Sequence, residues 1–255
     1  MSSTDLRGST GPSGSTALVT GATSGIGRAV AQRLAEQGAR VVLHGRDRAR
    51  GEAVEKEITR QGGTARFVAA DLTDAEDTLR LAAEAGEVDI LVNNAGVYDL
   101  RPTARTDAAA FDRHFAVNTR APFLLVGALA PGMVRRGRGA IVTIGSSAAR
   151  SPAPIGGAYA ASKAAVETLT RYWATEFGGS GVRVNAVSPG PVRTEGLSAI
   201  FGDGLDVLDR VNARGRVGEA EEIADAAAFL AGPASSYVNG AVLYADGGEV
   251  STLPG

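Results

Sequence analysis

The sequence predicts an α/β fold, a parallel sheet covered on both faces by helices. Two observations carry this expectation. Short runs of β-branched and aliphatic residues alternate along the chain with longer amphipathic segments, the pattern of strand–helix–strand units. A glycine-rich turn, Gly21-Ala22-Thr23-Ser24-Gly25-Ile26-Gly27, lies between the first apolar run and the first amphipathic segment.

The chain has 255 residues, 44 % of them hydrophobic, enough to bury a sizeable core. No linker composition divides it, so residues 15–255 read as one domain. Residues 1–14 are rich in Ser, Thr and Gly, with Leu6 the single large apolar residue, and read as a disordered tail without the apolar stretch of a signal peptide. The net charge of −2 argues against a nucleic-acid partner. With no cysteine, disulfides and thiolate chemistry are excluded, which is compatible with a cytoplasmic location. Two histidines far apart offer no metal-ligand spacing, so no metal is expected. The longest apolar run, 123–134, is broken by Gly127, Pro131 and Gly132 and is too short to span a bilayer.

Taken in order, Thr16 to Thr20 is a short buried strand, and Arg28 to Gln37 a helix with Gly38 as its cap. Val41 to His44 is the second strand, Arg46 to Thr59 a charged helix, and Arg66 to Ala70 the third strand. Thr73 or Asp74 caps the helix that follows. Val88 to Val92 is the fourth strand. A long helical region, 107–136, is expected to be interrupted near Asn118 and Pro122. Ile141 to Ile144 is the fifth strand, Tyr159 to Phe177 a helix, and Val182 to Val187 the sixth strand. A mixed-polarity loop covers 195–214, a helix Ala220 to Leu230, and the last strand Ala241 to Ala245.

Strand, glycine turn, helix is the setting in which a pyrophosphate sits on a helix N-terminus, close to backbone that only glycine permits. The spacing here is G-x-x-x-G-x-G, and a tight turn alone would also produce it. Tyr159 and Lys163, at i and i+4, share one helix face. An ammonium beside a phenol favours the phenolate and draws the tyrosine below its usual pKa of about 10, toward proton exchange near neutral pH.

Together these residues resemble the short-chain dehydrogenase/reductase family, and its 3-oxoacyl-reductase-like branch, over nearly the whole chain from Ser15 to Gly248. The matching pieces are Thr20 to Gly27, Asp71-Leu72, Asn93 to Gly96, Asn118, Ser146, Tyr159 with Lys163, Pro189-Gly190 and Asp246-Gly247-Gly248. The resemblance implies a Rossmann-type, doubly wound seven-stranded parallel sheet. It also implies a nicotinamide cofactor and hydride transfer between that cofactor and a carbonyl or secondary alcohol. It makes Tyr159 the acid/base, gives Lys163 the tasks of tuning Tyr159 and binding the nicotinamide ribose, places Ser146 on the substrate oxygen in preference to Ser147, and makes Asn118 part of a proton relay. The bland readings are a turn cap for Ser146 and a local kink for Asn118. The cofactor-binding set is Gly21, Thr23, Ser24, Gly25, Ile26, Gly27, Arg46, Asp71, Leu72, Asn94, Ala95, Gly96, Tyr159, Lys163, Pro189, Gly190, Val192 and Thr194. Asp71 could instead be a helix cap.

Cofactor choice rests on the end of the second strand. Gly45 stands where an acidic residue would hold the ribose 2′-OH of NAD, and Arg46 beside it suits a 2′-phosphate, so NADP(H) is expected over NAD(H). Asp47 would count the other way if the register shifted.

The resemblance implies pocket walls at Val97, Tyr98 and Leu100, at 148–157, and at 197–211 with Ile200, Phe201, Leu205, Val207 and Leu208. Such a lid suits a ketone with a mainly apolar body, whether β-ketoacyl, polyketide or cyclic. The alternatives are an NAD-dependent dehydrogenase of a sugar, polyol or other small alcohol, and a dinucleotide-binding regulator without turnover. A serine hydrolase is excluded for want of a G-x-S-x-G elbow. The resemblance further implies a homotetramer, with Trp173 and Phe177 either at the contact or facing the sheet. His44 and His114 carry no expected catalytic role.

Overall fold

The computed structural model describes residues 12–150 and 156–249. The expectations for the first eleven residues, for Pro152 and Pro154, and for the side chain of Leu205 lie outside the described residues. Seven parallel strands form one sheet: β1 (Thr16–Val19), β2 (Arg40–Gly45), β3 (Thr64–Ala69), β4 (Ile90–Asn93), β5 (Gly139–Ile144), β6 (Val182–Pro189) and β9 (Val242–Ala245). Their order is β3-β2-β1-β4-β5-β6-β9. The order reverses between β1 and β4, and the crevice past the carboxyl ends at such a reversal is where ligands of open sheets bind.

Strand side chains alternate between two apolar layers. Ala17 and Val19 of β1, Val92 of β4 and Val142 of β5 pack with α1 (Gly25–Glu36), α2 (Arg48–Arg60) and α8 (Ala220–Ala231) through Leu34, Ile58 and Ile223. Leu18, Leu91 and Ile141 point the other way, onto α3 (Ala75–Ala85), α5 (Ala121–Arg136) and α6 (Gly157–Gly178), through Leu81, Leu125, Met133 and Trp173. Trp173 is buried in this second layer and Phe177 packs against it. Both therefore face the sheet, and the exposed aromatic rings on these helices are Phe123 and Tyr172.

The interruption expected in the long helical region is a change of pitch. After α4 (Ala108–Phe115), a π-helical turn spans Ala116–Arg120 and carries Asn118, and α5 continues from it. Pro122 follows this turn directly, in the first turn of α5, and the helical run continues through it. Asp74 caps α3, its carboxylate accepting from the Asp77 amide at 2.8 Å. Asp71 does not cap: its Oδ1 accepts from the Thr73 amide at 2.9 Å in a local turn.

The loop after β6 is more ordered than its mixed polarity suggests. It forms β7 (Val192–Arg193), α7 (Glu195–Phe201) and 3₁₀ turns over Gly202–Val211, and closes with β8 (Gly218–Glu219), which pairs with β7. Among the described residues no helix is long and apolar enough to cross a membrane.

Candidate active site

The glycine turn is held from both sides. The Thr20 hydroxyl accepts from the Asn94 and Ala95 amides, both at 3.0 Å, joining the ends of β1 and β4. Asn94 returns its side-chain amide to the carbonyls of Thr20 (2.9 Å) and Gly21 (3.2 Å). A β-carbon on Gly27 would overlap the Gly21 carbonyl and this Asn94 amide, so space here requires glycine. Ser24 precedes α1 with no side-chain capping bond, leaving the first amides of the helix to a ligand. An anion is the group those amides and the positive end of the helix dipole suit.

His44, given no role from sequence, supports the same turn. Its Nδ1 accepts from the Gly21 amide at 3.2 Å and its Nε2 faces the Ala70 carbonyl at 3.1 Å, which fixes the neutral tautomer with the proton on Nε2. Burial pushes its pKa down from 6.5 to about 4. The unfolded chain therefore binds more protons between pH 6.5 and 4, and stability falls as pH drops through that window. Protonation of this one residue is expected to cost about 3 kcal/mol by pH 4. Urea unfolding at pH 7 and pH 4.5 checks it: His44→Gln should lose less stability between the two than the wild-type protein, and equal losses would contradict it.

Three elements converge past the glycine turn. Tyr159 and Lys163 come from the first two turns of α6, Ser146 from the end of β5, and Asn118 from the π-helical turn. Ser146, whose hydroxyl accepts from the Ala148 amide at 3.2 Å, lines the same cleft as Tyr159. The Lys163 ammonium donates to the Ile144 carbonyl at 2.7 Å and lies 5.9 Å from the Tyr159 ring centre. Asn118 accepts from the Val97 amide at 2.8 Å and donates to the Val97 carbonyl and the Ser162 hydroxyl, both at 2.9 Å. Its side chain thus ties α4–α5 to the loop after β4 and to α6, which a kink satisfied by its own helix would not do.

Electrostatics modify the sequence reading. Burial raises the Tyr159 phenol above its ordinary value, against the lowering effect of Ser146, and the Lys163 ammonium does not offset it. Burial also pulls Lys163 down to about 8. The expected depression of the tyrosine by the lysine is therefore not a property of the protein alone. It calls for a group that brings the ammonium and the phenol into one network.

Every residue assigned to the site from sequence lines one cleft of about 540 Å³, except Asn118, which stands directly behind it. At the β2 end the lining includes Arg46, Thr23, Asp71 and Leu72. Asp47 is turned away: its carboxylate caps α2, accepting from the Arg50 amide at 3.1 Å. At the other end Thr194 caps α7 by accepting from the Leu197 amide at 3.2 Å. Its hydroxyl is thus half committed to the fold.

The far wall is apolar, with Tyr98, Leu100, Leu197, Phe201, Leu208 and Val211. Tyr98 stands edge-on to Tyr159, with ring centres 6.3 Å apart. Its hydroxyl fills the space that a β-carbon on Gly196 would take, so α7 closes directly onto it. Ile200 and Val207, expected in this wall, are exposed instead. Glu249, a polar residue of the cleft, was not foreseen, and Ser147, weighed against Ser146 from sequence, lines the cleft as well. Glu249 belongs to no spacing pattern and reaches the cleft only through the fold. Among the described residues no cluster of three metal-ligating side chains occurs.

This geometry, an anion-ready helix terminus beside a buried phenol, amine and hydroxyl, defines an oxidoreductase of CH–OH and C=O groups that uses a nicotinamide dinucleotide. The chain belongs to the short-chain dehydrogenase/reductase family. A family model described as enoyl-(acyl carrier protein) reductase matches residues 21–249. A solved short-chain dehydrogenase/reductase family protein is 50 % identical, with a TM-score of 0.88 over 92 % of this chain and 97 % of that one. Galactitol 2-dehydrogenase (L-tagatose-forming) of Cereibacter sphaeroides is 42 % identical over 246 residues, covering 92 % of this chain and 94 % of its own. The 3-oxoacyl (acyl-carrier-protein) reductase of Agrobacterium tumefaciens C58, solved with NADP bound, is 36 % identical, with a TM-score of 0.91 over 97 % of this chain and 99 % of that one.

Proposed function

We propose that the protein is an NADP(H)-dependent carbonyl reductase whose substrate is a ketone with a mainly apolar body. The observation that carries the substrate class is the apolar wall from Leu100 to Val211, which faces Tyr159 across the cleft. The α1 amides would hold the pyrophosphate, Asp71 and Leu72 the adenine side, and Pro189, Gly190, Val192 and Thr194 the nicotinamide side. When bound, the reduced nicotinamide supplies the hydride for the carbonyl carbon.

The chain's own residues supply the rest. Ser146 donates a hydrogen bond to the substrate oxygen and stabilises the charge that develops there. Tyr159 gives its phenolic proton to that oxygen and leaves as phenolate. A phenol kept protonated by burial is well prepared for this direction. Lys163 stabilises the phenolate, and Asn118 fixes the turn of chain behind it. In the oxidative direction the same proton returns to Tyr159.

Arg46 in the cleft, with Asp47 committed to capping α2, supports NADP(H) over NAD(H). A guanidinium suits a 2′-phosphate through paired donors. Arg46→Ala should lower kcat/KM for NADPH by roughly tenfold to a hundredfold and change that for NADH less than threefold. A wild-type preference for NADH would overturn the assignment.

A polyhydroxylated alcohol is the second reading. Ser147 and Glu249 favour it, since both line the cleft and place a hydroxyl and a carboxyl where a polyol could hydrogen-bond. The galactitol dehydrogenase similarity points the same way. A panel of aryl and cyclic ketones against pentitols and hexitols decides between them. Higher kcat/KM for the ketones supports the proposal, and higher values for the polyols replace it with the second reading.

A further inference from the structure

We propose that Glu167 is a positioning residue of the catalytic centre: its buried carboxylate, one turn along α6 from Lys163 and seated against Gly145, is the counter-charge that keeps the Lys163 ammonium protonated and aimed at the Ile144 carbonyl. The proposal rests on the catalytic reading of Lys163 given above.

Glu167 faces the sheet from the middle of α6 and is only 6 % exposed. Its Oε1 is fully buried and has no hydrogen-bond partner among the described residues. A carboxylate so placed carries a heavy desolvation cost unless a positive charge faces it. Lys163, at i−4 on the same face of the same helix, supplies that charge. The two side chains also meet neighbouring units of one strand end. The ammonium donates to the Ile144 carbonyl at 2.7 Å, and the carboxylate occupies the space beside Cα of the next residue, Gly145. A β-carbon on Gly145 would overlap Oε1, so any larger residue here would displace the carboxylate from this seat. Ser146 follows immediately. Glu167 thus underlies both the lysine and the backbone that presents the catalytic serine.

Among the described residues, the other groups that the neighbouring elements bring near Lys163 carry no negative charge. Tyr159 on α6 and Tyr98 in the loop after β4 are phenols whose pKa burial raises. His114 on α4 is buried, and its ring nitrogens face the Asp99 amide and the Ala110 carbonyl. β5, β6 and the π-helical turn present Thr143, Ser188 and Asn118, none of them charged. Burial draws the lysine down, and the Glu167 charge acts in the opposite direction.

The chain has only two lysines, Lys163 and the exposed Lys56, so the test reads the group directly. Protein labelled with [6-¹³C]lysine gives one reporter signal and one internal reference. In the wild-type protein Lys163 should titrate near 8. In Glu167→Gln, which keeps the shape and removes the charge, the midpoint should fall by at least about one pH unit. Glu167→Asp, which withdraws the charge by one methylene, should fall between the two and decides the matter if the Gln variant does not fold. The pH profile gives the functional readout: kcat of Glu167→Gln should drop at least about fivefold more at pH 8.5 than at pH 6.5 relative to wild type. KM should stay unchanged. An unchanged Lys163 midpoint, or a kcat loss equal at both pH values, would overturn the proposal. The titration needs no turnover, so it stands or falls apart from the substrate assignment.

Discussion

Tyr159→Phe is expected to lower kcat for ketone reduction by about a thousandfold or more while leaving NADPH affinity within about threefold. The substitution removes one oxygen from a buried site and nothing else. The ring keeps its edge contacts with Tyr98 and His114, so the pocket shape survives. What is lost is the phenolic proton assigned to the substrate oxygen. Ser146 cannot replace it, because a serine hydroxyl holds its proton too tightly near neutral pH. A residual rate remains from Ser146 and from holding the reactants together. Steady-state kinetics on purified protein, with cofactor binding followed by fluorescence, measure both quantities. Retention of a tenth or more of the wild-type kcat would remove Tyr159 from its role.

The second large effect is that of Lys163→Met, which should lose about a hundredfold or more in kcat and also destabilise the fold by about 3 kcal/mol. The two losses have separate causes. Methionine fills the stem's volume but stabilises no phenolate, so proton transfer slows. It also leaves Glu167 buried without its counter-charge, and an unpaired buried carboxylate is costly. The double variant Lys163→Met with Glu167→Gln should recover most of the stability and none of the activity. Urea unfolding and kcat on the four proteins of this cycle check both parts. Recovery of activity in the double variant would contradict the account of Lys163.

The sequence made the architecture legible because its local signals agree with one another. Apolar runs, amphipathic helices and the Gly21 to Gly27 turn all specify the same strand–helix alternation, and the sheet order follows from that chirality. Tyr159, Lys163 and Ser146 were legible as a site only together, since each is common alone. What stayed hidden depends on tertiary placement. His44 looks like any strand-end histidine until the Gly21 amide is found at its Nδ1. Asn118 reads as a poor helix former, and only the fold shows that its side chain joins Val97 to Ser162. β7 and β8 are two residues each, too short for any periodicity. Ile200 and Val207 were read into the pocket by composition, yet the short turns of the lid carry them to its outer side. The lowered pKa expected of Tyr159 failed because spacing says nothing of desolvation, which here dominates the phenol.

The central claim is that this cleft passes a hydride to a carbonyl carbon while Tyr159 protonates the oxygen. Transfer from NADPH deuterated at nicotinamide C4 tests it most directly, with the product alcohol analysed by mass spectrometry and NMR. The predicted result is deuterium on the carbinol carbon, one atom per cofactor oxidised, at a rate that collapses in Tyr159→Phe. Product carrying no deuterium at that carbon, or a transfer rate indifferent to Tyr159, would contradict it.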